Sequence, residues 1–227
     1  MNIIKYVRIA TLLGSTLLLT NAFAATKEDL EKAMSYDGLR KIAVKGIDLA
    51  YARPGATLAS YNRVKLEPID VAFRKDWNPT VPGSRFKVSA AERENIRTGV
   101  AKIVHEEFVK ELQNNSSYKV VDETGPDVLQ VKVKIVNLYV NAPDTGSAGI
   151  SRQYTVSAGE MTMFAELYDS ETGEVLARII DRSEGRRAGG LSYSNSVTNI
   201  SEARSTASDW ARVLRNGLDK AHGIGKK

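Results

Sequence analysis

From Asp127 to Ile180 apolar and polar residues alternate in a way that only a half-buried sheet requires. Leu129, Val131, Val133 and Ile135 fall on one side of a strand, with Gln130, Lys132 and Lys134 on the other. Met161, Met163, Ala165 and Leu167 repeat the pattern against Thr162, Glu166 and Tyr168. Beyond the reversal Asp169-Ser170-Glu171-Thr172-Gly173-Glu174, the residues Val175, Ala177 and Ile179 answer them. The period changes on either side of this block. Ile96, Val100, Ile103, Val104, Phe108 and Leu112 recur every three to four residues, and Ser89 and Glu92 stand at capping-box spacing, so the pattern predicts a helix from Ser89 to about Asn114. Ala203, Ala207, Trp210, Leu214, Leu218 and Ala221 predict a second helix opening at Asn199.

The remaining segments are read by their breaks. Val64 to Phe73 is strand-like but contains Pro68, which has no amide hydrogen to give to a ladder, so it forms an edge, a bulge or two short pieces. Tyr118 to Asp122 is a short strand, and Asp76 to Arg85, with Pro79, Pro82 and Gly83, is a loop. Ala25 to about Leu49 is polar and mildly helical, capped by Thr26, with the thin apolar stripe Leu30, Ala33, Met34 and Leu39; it reads as a short helix or a loosely docked lead. The glycine-rich connection from Ser183 to Gly190 and the serine- and asparagine-rich segment that follows it, up to Asn199, form the region expected to move. The order of elements predicts an α+β two-layer sandwich, a mixed and mostly antiparallel sheet of five to six strands with two long helices on one face.

The amino terminus changes the domain picture. Lys5 and Arg8 precede an apolar run from Ile9 to Leu19 that ends in Ala22-Phe23-Ala24. The run is shorter than the roughly 20 residues of a membrane-spanning helix, and its small residues fit a signal peptidase site after Ala24. The expected division is a signal peptide at 1–24, a lead segment at 25–60, one α+β domain at 61–222 and a disordered tail at 223–227. The protein is expected to be periplasmic or secreted, with no transmembrane segment after cleavage. The absence of cysteine excludes disulfides, thiolate metal sites and a lipid-modified thiol.

Charge and chemistry narrow the function classes. The chain carries a net charge of +5, of which Lys5 and Arg8 leave with the leader, and no basic stripe is interleaved with aromatics; nucleic acid is not an expected partner. His105-Glu106-Glu107 opens like a zinc-protease helix, but Val109 stands where the second histidine is required. Gly190-Leu191-Ser192-Tyr193-Ser194 lacks the closing glycine of a nucleophile elbow. Asp169, Glu171 and Glu174 lack the spacing of a calcium loop and read as a solvated turn. No catalytic, cofactor-binding or metal-binding residue is predicted, and no cofactor. Arg152, Arg182, Arg186 and Arg187 form a candidate interaction surface for anionic lipid, glycan or an acidic envelope protein.

Several short stretches carry a family likeness: Tyr36-Asp37-Gly38-Leu39, Tyr51-Ala52-Arg53-Pro54-Gly55-Ala56 leading to Leu58 and Tyr61, and Pro68 with Val71-Ala72-Phe73. Asn141-Ala142-Pro143-Asp144, Ser194-Asn195-Ser196-Val197-Thr198-Asn199 and Trp210-Ala211 complete the set. From Tyr36 to Ala221 the chain resembles the exported bacterial proteins grouped as domain of unknown function 3313, many of which look like envelope lipoproteins. The resemblance implies an envelope location and brings no reaction and no catalytic residues; the leader departs from it by lacking a lipoprotein cysteine. The layered arrangement also looks similar to small α/β domains of periplasmic assembly and secretion accessory proteins.

The expected function is therefore that of a non-enzymatic exported binding or accessory protein of the bacterial cell envelope, its contacts made by the loop from Asn141 to Ala158, the Arg186 loop and an exposed sheet edge. The alternative is a hydrolase acting on envelope material through residues distant in sequence, such as Asp144, Glu160 and Tyr154.

Overall fold

The computed structural model describes residues 27–77, 88–114, 118–141, 157–184 and 196–224. In chain order these form α1 (Lys27–Ser35), a short 3-10 turn (Tyr36–Gly38), β1 (Arg40–Ile42), β2 (Leu49–Ala52), β3 (Arg63–Leu66), β4 (Asp70–Phe73) and α2 (Ala90–Gln113). There follow β5 (Lys119–Val120), β6 (Val128–Asn141), β7 (Ser157–Asp169), β8 (Val175–Glu184) and α3 (Ser196–Ala221). The expected signal peptide, Arg152, Arg186, Arg187 and the elbow-like Ser192 lie outside the described residues, as do residues 225–227 of the tail.

One mixed sheet runs in the order β1-β2-β8-β7-β6-β3-β5, and β4 also pairs with β6. From β1 across to β6 the pairings are antiparallel; β3, β4 and β5 join in parallel. Pro68 decides the geometry of the flank. The segment from Val64 to Phe73 is cut into β3 and β4, which lie end to end along β6: Val64 beside Leu129, Val71 beside Ile135.

The two-residue period sorts the faces. Across β6 and β7, Val131 stands opposite Leu167, Val133 opposite Ala165 and Ile135 opposite Met163. All are buried, together with Ile96, Val100, Val104 and Phe108 of α2 and Ala203, Ala207, Trp210 and Leu218 of α3. Both long helices thus cover one face. α2 opens where predicted: Ser89 Oγ accepts from the Glu92 amide at 3.2 Å and Glu92 Oε2 accepts from the Ser89 amide at 2.7 Å. α3 begins at Ser196, three residues ahead of the predicted Asn199.

Two features differ from the sequence expectation. Eight strands are present among the described residues instead of five or six, because the lead segment supplies β1 and β2, and β2 pairs with β8. The lead opens with the predicted short helix, α1, but is docked on the sheet. Met34 and Leu39 are buried with Tyr51 and Val175 against Leu30, Phe164, Tyr168 and Ile180, on the face opposite α2 and α3. Val175 belongs to this cluster, not to the main core, because the β7–β8 register shifts between Leu167 and Tyr168.

Arg178 ties the lead to the sheet. It is 8% exposed and donates to Glu166 Oε1 at 2.8 Å, the Tyr36 carbonyl at 2.8 Å and Asp37 Oδ2 at 2.6 Å. Asp37 holds a left-handed backbone at φ 68°, the conformation that turns α1 into β1 and presents its carboxylate to Arg178.

Candidate functional site

The site grows from the end of β4. After Phe73 the Arg74 amide donates to the Leu138 carbonyl at 3.0 Å and the Trp77 amide to the Arg74 carbonyl at 2.9 Å, which turns the chain beside β6. Trp77 locks that turn. Its ring stacks on Phe73 with centroids 4.2 Å apart, and its indole Nε1 donates to the Val140 carbonyl at 2.7 Å. Arg74 is thereby fixed over β6, its guanidinium carbon 4.1 Å from the centre of the Tyr139 ring.

β6 is irregular at the same height. Its register with β7 shifts on both sides of Tyr139, and Asn137 has a left-handed backbone at φ 56°. Such a bulge re-aims side chains: Leu138 enters the main core, and Tyr139 stands opposite Glu160 of β7. Alternation along β7 places Glu160 on the face away from Met161 and the long helices.

Glu160 is bound from both sides. Its Oε2 accepts from Arg74 Nη1 at 3.0 Å and its Oε1 lies 2.8 Å from Arg182 Nη2, while Arg74 Nε donates to Asp76 Oδ1 at 2.6 Å. The hydrogen bond to Asp76 raises the Arg74 guanidinium above its ordinary value, outweighing its burial. Arg74, Asp76, Asn137, Glu160 and Arg182 line an open depression of about 350 Å³. Two cations and two anions alternate along it, so it is electrically balanced.

Of the residues singled out from sequence, only Arg182 and Glu160 meet here. Arg152, Arg186 and Arg187 lie outside the described residues, as do Asp144 and Tyr154 of the hydrolase alternative. Both Glu160 oxygens are engaged by guanidinium groups. His105 is exposed on α2. His222 is exposed, yet its Nε2 lies 2.9 Å from the Tyr61 carbonyl and its ring tilts against Tyr118. The acidic turn is a backbone device, as predicted: Asp169 Oδ1 accepts from the amides of Glu171 and Thr172 at 3.1 and 2.8 Å, and Gly173 supplies φ 70°.

Sequence reasoning missed Arg74, Asp76 and Asn137. Arg74 and Glu160 are 86 positions apart, and no local spacing joins them. The one available signal was a charged pair immediately after the apolar run that ends at Phe73.

Residues 28–214 match the family model described as "Protein of unknown function (DUF3313)". No curated protein matches the chain. Among solved structures the chain is similar to the PelC dodecamer from Paraburkholderia phytofirmans, with 9% identity, a TM-score of 0.36, and coverage of 77% of this chain and 96% of that one. It is similar to a protein from Xanthomonas campestris at 10% identity and a TM-score of 0.39, covering 76% and 91%. A candidate lipoprotein from Caulobacter crescentus gives 12% identity and a TM-score of 0.34, covering 75% and 94%.

Proposed function

The chain belongs to the DUF3313 family, and from that premise we propose that it is a non-enzymatic exported binding or accessory protein of the bacterial cell envelope. The observation that carries the reading is the state of the charges in the depression. Glu160 spends both oxygens on Arg74 and Arg182, and Asp76 accepts from Arg74. Groups that hold one another across β7, β8 and the end of β4 make a fixed polar relief. Carboxylates steadied by ion pairs in this way support a role in contact with a partner. The export leader adds the compartment, periplasmic or secreted, with cleavage after Ala24.

Two measurements test the proposal. The mass of the protein recovered from the cell envelope fraction is expected to begin at Ala25; an uncleaved chain held in the cytoplasm sinks it. A photo-reactive residue in place of Arg182 is expected to cross-link an envelope component, while the same residue at Lys102, exposed on the helical layer, gives none. Equal yields at the two positions, or turnover of a hydrolase substrate that disappears in Glu160→Gln, would overturn it.

A further inference from the structure

Four features converge on the depression. Asn137 has a left-handed backbone, β6 changes register twice around Tyr139, Glu160 is bridged by two arginines, and the Asp76 side chain is 68% exposed beside them. Bulges and left-handed non-glycine backbone are maintained inside a sheet where a side chain must be re-aimed, and they gather at binding sites. Asn137 fits that description. It lines the depression, and its amide, able to donate and accept, makes no hydrogen bond to the described residues.

Resting on the binding reading above, the geometry points to a site for a neutral polyhydroxyl ligand, a saccharide ring or short glycan, held by Asn137 and Asp76 beside the Arg74–Glu160–Arg182 bridge. The argument is one of charge. The lining contains Arg74 and Arg182 against Asp76 and Glu160, so its described residues carry no net charge to draw an ionic ligand. A hydroxyl needs no net charge: it accepts from an amide or guanidinium N–H and donates to a carboxylate oxygen that retains a lone pair, such as the outer oxygen of Asp76. The volume of about 350 Å³ falls within the range of small-molecule sites.

The test uses the mature chain and defined probes: neutral methyl glycosides, lactose and the N-acetylglucosamine disaccharide, with glucuronate and inorganic phosphate as charged controls. Saturation-transfer NMR and calorimetry read binding. At least one neutral saccharide is expected to bind with an affinity unmoved between low and high salt. Asn137→Gly keeps the left-handed backbone accessible and removes the amide; it is expected to weaken binding about tenfold with the melting temperature little changed. Asp76→Ala, on an exposed side chain, carries the same test if the Asn137 variant does not fold. Binding unchanged in both variants, binding of charged probes alone that fades with salt, or silence from every probe overturns the assignment. An envelope cross-link at Arg182 together with silent saccharides eliminates the ligand class and leaves the accessory reading standing; loss of both eliminates both.

Discussion

Asp181 is the residue whose environment speaks most directly to pH. Burial pushes its carboxyl above the usual carboxylate range, although Trp210 Nε1 donates to its Oδ2 at 2.7 Å and the Asp48 amide to its Oδ1 at 3.0 Å. A carboxyl that holds its proton more tightly folded than unfolded favours the folded state at low pH, and that contribution is lost as pH rises through the folded value. Asp181→Asn removes the charge and keeps one acceptor. Denaturant midpoints measured from about pH 4 to 7 are expected to show a flatter profile in the variant. Asp169 has the opposite sign: the Thr172 amide, ahead of Tyr61, holds its carboxyl below the ordinary value. Its contribution is present above the unfolded value and lost as pH falls through the folded one. Arg178 offers a larger effect. Arg178→Ala leaves Glu166 and Asp37 without their guanidinium and is expected to cost about 3 kcal/mol, read by urea unfolding. Arg178→Lys is expected to restore less than half, since one ammonium cannot reach three acceptors in a fixed fork.

Among the elements, α2 was the most legible, and its two faces show why. The capping box and the stripe from Ile96 to Leu112 are local facts, and Ser89→Ala is expected to cost about 1 kcal/mol in a thermal melt. The buried carboxylates Glu107 and Glu111 were not legible, because they are placed by α3: Arg204 donates to Glu107 at 2.8 Å, and Ser208 and Arg215 to Glu111 at 2.9 and 3.0 Å. A double-mutant cycle between Glu107 and Arg204 is expected to give a coupling of about 1 kcal/mol, since Glu107 is buried and Arg204 half-exposed. The strand split at Pro68 was readable from one missing amide. β1 and β2 were not, because their short, mixed sequences become strands only by pairing, β2 with β8 and β1 with β2. The depression shares that difficulty, since its five lining residues come from four separate stretches of chain.

At the scale of the whole molecule the sheet is covered unequally. α2 and α3 cover one face, and on the other α1 caps only the region around Phe164, Tyr168 and Ile180. Truncation of the chain to begin at Leu39 is expected to expose that apolar patch and release Arg178. The melting temperature should fall and dye binding rise, while near-ultraviolet dichroism from Trp210 persists. Loss of all cooperative unfolding would instead show that the helical layer cannot stand without the lead. Arg178 reaches Tyr36 across 142 positions, and Asp48 reaches Asp181 across 133. Contacts of that span are strongly non-local, and their loop-closure entropy is paid before they reward it. A nascent amino-terminal half therefore has no completed resting place for β2, and the final knot of the architecture is tied only once the last strand has been synthesised.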